Sequence, residues 1–136
     1  MTIIRATHQT EISAILDRIH DRFFVVEDIV FDPESRCLRI PLSVIDDKGN
    51  LSRKIFFLKK LTHDILAAEL IIKNVIDYKI EDISQTGKGD INTIVLDEDN
   101  LVIKCGLPVT VTIKVSELLL ELIVSDKVVG QKSFWN

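Results

Sequence analysis

From residue 67 to its end the chain reads as one short apolar segment after another, each closed by a polar turn. Leu70, Ile72, Ile76, Tyr78 and Ile80 alternate with Lys73, Asp77, Lys79 and Glu81, the period-two pattern of a strand with one buried face. Apolar stretches follow at 94–96, 101–103, 109–115 and 118–124, separated by turns such as Asp97-Glu98-Asp99-Asn100 and Ser125-Asp126-Lys127. A pattern of this kind demands a sheet and leaves the chemistry unspecified.

One helix precedes the strands. Ile12, Ile15, Leu16 and Ile19 recur at helical spacing and form a single apolar stripe, with Asp17, Arg18, Asp21 and Arg22 on the other faces. Thr10 or Thr7 is placed to cap its start, and the stripe predicts a helix over 10–22. Strand 23–31 then leads into Asp32-Pro33-Glu34-Ser35-Arg36, a turn favoured by Asp at its first position and Pro at its second. The return strand sets Leu38, Ile40, Leu42 and Val44 on one face; Pro41, lacking an N–H, belongs at an edge or a bulge. Asp46-Asp47-Lys48-Gly49-Asn50 predicts a second turn, with the next strand at 55–58. Residues 62–74 are ambiguous, since Ala67-Ala68-Glu69 favours a short turn or helix and Ile71-Ile72 a strand.

The fold class that follows is α+β and mostly β: an N-terminal helix packed on a curled, largely antiparallel sheet, as a partial barrel or two-layer sandwich. It forms a single domain over 1–136, with the β-rich part at 23–134. Phe56, Phe57 and Leu58, and likewise Leu118, Leu119 and Leu120, are apolar on both faces of a strand, which calls for two layers or a covering second copy. A homodimer is the corresponding expectation.

Composition narrows the function. With 46% apolar and 28% charged residues the chain can bury a core without disulfides or metals. The net charge of −4, with no basic run longer than Arg53-Lys54 or Lys59-Lys60, predicts no nucleic-acid partner. No apolar run reaches the roughly 18–20 residues that span a bilayer, and no secretory-type segment opens the chain. No membrane partner and a reducing, cytoplasmic setting are therefore expected. Cys37 and Cys105 fall in predicted strands and read as small hydrophobes, a long-range disulfide being the alternative.

Candidate sites are few. His20-Asp21 and His63-Asp64 are the titratable pairs, but neighbours on a strand or helix diverge, so neither dipeptide holds a metal alone. Helical phosphohydrolases that use such a dipeptide also need further His and Asp ligands on a helical scaffold, which is missing from this sequence. The loop Thr86-Gly87-Lys88-Gly89-Asp90 could cradle an anion, yet Asp82 and Gly89 occupy the positions where a Walker-type loop needs Gly and Ser or Thr. Asp97-Glu98-Asp99-Asn100 lacks the glycine of a calcium loop. No nucleophile elbow occurs, so no catalytic residue, metal site or cofactor is assigned. His20, His63 and Lys88 are the candidate ligand-binding residues, at the mouth of a partial barrel. Phe134 and Trp135 either close the core or anchor a partner, closure being the simpler role.

The run of His20-Asp21, then 25–31, a turn and Leu38-Arg39-Ile40, resembles stretches of small bacterial domains that include toxin-immunity proteins. It covers under a third of the chain and has no diagnostic residue, and it implies no site. The expectation for function is a small non-enzymatic protein-interaction module. The alternative is a small-ligand binder or enzyme with a pocket lined by histidines and acids.

Overall fold

A computed structural model describes all residues except Phe56, Phe57, Ser84, Leu107 and Asn136; for 47–55, 58–59 and 135 it describes the backbone alone. The elements are β1 (Thr2–Ala6), α1 (Gln9–Ile19), β2 (Phe23–Val25), a 3-10 turn (Val26–Asp28), β3 (Val30–Asp32), β4 (Cys37–Ile55), β5 (Leu58–Ile72), β6 (Val75–Asp82), β7 (Lys88–Asp97), β8 (Asn100–Cys105), β9 (Val109–Val115) and β10 (Leu120–Trp135). They build two antiparallel five-stranded sheets, ordered β1-β10-β5-β4-β3 and β2-β7-β8-β9-β6. The architecture is α+β and mostly β, with one sheet curled into a half-barrel.

The core follows from strand alternation. Leu38, Ile72 and Leu120 stand in one row across the first sheet, and Ile40, Leu70 and Leu122 in the next; all six are buried. Ile91 and Ile94, Leu101 and Ile103, and Val111 and Ile113 supply the second sheet, while Ile12, Ile15 and Ile19 of α1 pack into the same cluster. The opposite face of the first sheet carries the row Arg39, Ile71, Glu121 and Arg5. There Glu121, 4% exposed, receives Arg5 Nε and Lys73 Nζ, each at 2.6 Å. The sheets approach each other at one edge, where the Phe31 and Tyr78 rings meet at a tilt of 45° with centroids 5.2 Å apart and the Val75 N–H donates to the Arg36 carbonyl at 3.0 Å.

Several expectations are corrected. The helix ends at Ile19, because Asp21 takes a left-handed φ of 64° and its N–H donates to the Ile91 carbonyl. Neither Thr10 nor Thr7 caps it; Thr7 instead donates both N–H and Oγ1 to the Glu11 carboxylate, each at 3.0 Å. The pattern through Leu70 to Ile80 is split by Asn74, φ 57°, into β5 and β6, which lie in different sheets. Residues 62–72 are strand throughout: Ala67, Ala68 and Glu69 stand opposite Ser43, Leu42 and Pro41. Nor does the chain turn at 46–50. β4 runs on to Ile55, absorbing the extra residues as a bulge between the Ile45–Ile65 and Gly49–His63 pairs. Leu118 and Leu119 precede β10 and Leu120 begins it. Of the other apolar triplet, Phe56 and Phe57 lie outside the described residues.

Strands β4, β5 and β10, of 19, 15 and 16 residues, are about three times the usual length. Beyond Ile45, Ile65 and Gly130 they pair only with one another among the described residues, forming a three-stranded ribbon with β5 in the middle.

Candidate functional site

At the root of this ribbon lies a cleft of about 350 Å³, lined by Asp17, Arg18, His20, Arg22, Ile45, Asp46, His63 and Phe134. Four elements converge on it. The last turn of α1 brings Asp17 and Arg18, and the left-handed turn at Asp21 carries the chain from His20 to Arg22. The β4 bulge brings Asp46, β5 brings His63, and the distal part of β10 brings Phe134.

Hydrogen bonds fix most of these groups. Arg22 crosses to the outer edge of β4, Nε donating to the Ser43 carbonyl at 3.0 Å and Nη2 to Ser43 Oγ at 2.7 Å. His20 meets the Asp21 carboxylate through Nδ1 and Asn92 Oδ1 through Nε2, both at 3.2 Å. Both of its nitrogens are thus engaged, which fixes the orientation of the ring. His63 Nδ1 lies 2.7 Å from the Asp46 carbonyl. A carbonyl only accepts, so Nδ1 carries hydrogen. The imidazole also meets the Phe134 ring edge-on at 5.4 Å, and Lys132 Nζ sits 5.3 Å from the centre of that ring.

His20 and His63, distant in sequence, therefore line one cleft. Phe134 joins them: it is 41% exposed and packs on His63 instead of closing the core. For Trp135 only the backbone is described, opposite Lys60. Lys88 lies elsewhere, in a separate depression with Phe23, Phe24 and Val25. The reason is that β7 already begins at Lys88 and pairs it with Val25, so the expected loop is shorter. Gly87 makes the turn at φ 74°, its N–H donating to Asp82 Oδ2 at 2.8 Å. Gly89 serves packing, since a Cβ there would stand 2.6 Å from the Phe24 ring.

Arg18, Arg22 and Asp46 were not singled out from sequence as site residues. The two arginines read as the solvated face of a helix, and Ser43, the partner of Arg22, sits 21 residues away on a strand. Among the described residues that line the cleft there is no serine, threonine or cysteine. Among the described residues no three His, Cys, Asp or Glu side chains are grouped to hold a metal ion. Two guanidinium groups, two imidazoles, two carboxylates and one aromatic ring line the cleft. Cys37 and Cys105 are both free thiols, and burial, with the Asp90 carboxylate adding to it, pushes the Cys105 thiol up to about 11. Among the described residues no helix is long and apolar enough to cross a membrane.

Comparison of the chain with protein-family models, with curated proteins and with solved structures finds no match.

Proposed function

We propose that this protein is a small non-enzymatic binding module whose partner chain adds as a strand to the outer edge of β10. The observation that carries this reading is where β1 stops. Its pairing with β10 ends at Val124, so from Val128 to Trp135 the outer edge of β10 has no neighbouring strand among the described residues. An unpaired edge is a template for another strand. Val128 and Val129 alongside it are about half exposed.

The other long edge is managed differently. On β4, β3 pairs only as far as Arg39, and beyond that Arg22 occupies the Ser43 carbonyl. By strand alternation the nitrogen of Pro41 faces the same edge as Ser43, and it has no hydrogen to offer. The β10 edge carries no proline, and antiparallel pairing of one edge with its own copy closes a two-fold dimer. A second copy is therefore the partner this reading favours, in a reducing, cytoplasmic setting that suits two free thiols.

Sedimentation velocity over a concentration series tests it, with proline placed at Gln131 in one variant and Lys132 in another. Neighbouring residues on a strand direct their N–H groups to opposite sides. One variant should be monomeric with an unchanged Tm, and the other should lose Tm because it breaks the ladder with β5. A wild-type monomer at all concentrations, or a dimer that survives both substitutions, overturns the reading.

The cleft supports a second reading, a small anionic ligand held by Arg18, Arg22 and His63, because the fold brings these groups together from three elements. A thermal-shift screen of mono- and dicarboxylates and phosphate, repeated on His63→Gln, tests it; stabilisation absent from wild type, or equal in the variant, excludes it.

A further inference from the structure

Strand β2, at the edge of the second sheet, keeps an aromatic and a branched side chain in water. Phe23 is 58% exposed and Val25 39%, while Phe24 between them faces the core. Pairing with β7 sets Val25 directly opposite Lys88 and Phe23 opposite Asp90, so these four share one face of the sheet. A depression of about 340 Å³ lies here, lined among the described residues by Phe23, Phe24, Val25 and Lys88.

Lys88 is held in place through its backbone. Thr86 Oγ1 donates to the Lys88 carbonyl at 3.3 Å, and the Val26 N–H donates to the carbonyl of Gly87 at 2.8 Å, extending the pairing of β2 with β7 by one residue. The carboxylate on the same face is engaged elsewhere. Asp90 turns towards Gly106, its Oδ2 only 2.6 Å from where a Cβ on that glycine would stand. Among the described residues the Lys88 ammonium makes no ion pair or hydrogen bond. An exposed apolar wall and a cation free to pair thus stand side by side.

We infer that this depression binds a small amphiphilic anion, a carboxylate carried on an aromatic or branched apolar body. The body covers Phe23 and Val25, and the carboxylate accepts from Lys88 Nζ. Hydrogen bonds between two charged groups are about twice as strong as neutral ones, so the charge sets the class of ligand. The volume sets its size: it is at the lower end for small-molecule pockets, and about twice that of a cavity which holds one benzene ring. A lining of four residues on two strands falls far short of the roughly 20–30 residues a side of a stable protein interface, which favours a small molecule over a protein. None of the four lines the cleft at the root of the ribbon, so the two sites are independent.

An amide NMR titration of the isotope-labelled whole chain with phenylpropionate tests this. Shifts should centre on the Val25, Gly87 and Gly89 amides and fit one site with a Kd of about 1 mM or below. Phenylpropionamide, which lacks the charge, and acetate, which lacks the ring, should each bind roughly tenfold more weakly. Lys88→Gln should weaken phenylpropionate severalfold and erase its advantage over the amide, whereas Phe23→Ser should weaken both aromatic compounds. Both positions are exposed, and a spectrum unchanged away from the site shows that each variant is folded. His63→Gln, in the separate cleft, should leave the affinity as it is. No shifts at up to about 20 mM, shifts centred on His20 and His63, equal binding of the amide, or an affinity unchanged in Lys88→Gln each overturns the inference.

Discussion

His63 on β5 donates its Nδ1 hydrogen to the backbone carbonyl of Asp46 at 2.7 Å, and so ties the central strand of the ribbon to the bulge in β4. The bulge opposes more residues of β4 than of β5, which leaves ladder groups to be satisfied by side chains. One imidazole does this and also supports the Phe134 ring. His63→Phe keeps a ring but removes the donor, and should cost about 1 kcal/mol in urea denaturation. An unchanged midpoint would mean that water replaces the bond.

Glu121 gives stability a defined pH dependence. Its carboxyl is held below the usual carboxylate range, first by the hydrogen bond from Lys73 and then by that from Arg5, burial opposing both. A depressed folded value adds stability that is present above the unfolded value of about 4.3 and lost as pH falls through the folded value. Both cations are substantially exposed, so the pair contributes about 1–2 kcal/mol at neutral pH. Glu121→Gln should lower the Tm at pH 7 and narrow the difference from wild type under acid; a constant difference from pH 7 to pH 3 would refute this account.

Gly89 and Gly130 should respond oppositely to alanine. A Cβ at Gly89 would meet Phe24 Cζ at 2.6 Å and Cys105 Sγ at 2.9 Å, whereas at Gly130 the nearest atom, Ile65 Cδ1, is 3.6 Å away. Gly89→Ala should therefore destabilise by about 1–3 kcal/mol. Gly130→Ala should be neutral or stabilising by up to about 1 kcal/mol. Calorimetry of the two variants checks the contrast.

The thiols should be inert in the native protein. With its value pushed up to about 11, Cys105 is a thiolate in only about one molecule in a thousand at pH 8. Cys37 is buried outright. Mass spectrometry after brief iodoacetamide treatment should show no label on folded protein and two labels in urea; rapid native labelling of Cys105 would contradict the packing around Gly89.

Much of the fold was legible from residue types. The stripe of Ile12, Ile15 and Ile19 specified a helix, Asp32-Pro33 specified a turn in which Asp32 does accept from the Glu34 N–H, and Pro41 specified an edge or a bulge, of which the structure has the edge. Each of these signals is local, set by which dihedrals and hydrogen bonds one side chain permits. That the outer edge of β10 beyond Val124 has no neighbouring strand among the described residues was not legible, because it depends on where β1 ends.

By itself, then, the sequence determined the strand-rich class, the buried alternation and the single amphipathic helix. Tertiary structure alone decided that Ala67-Ala68-Glu69 is strand, since β5 lies between β4 and β10 and its backbone groups are satisfied on both sides. That outweighs helix preferences of less than about 1 kcal/mol per residue. It likewise decided that Asp46 to Asn50 continues β4 instead of reversing it, that His20 and His63 share a cleft, and that Arg53 and Lys54 stand opposite Lys60 and Lys59. In each case the partner lies on another element, and only strand register, fixed by burial of one face, brings it there.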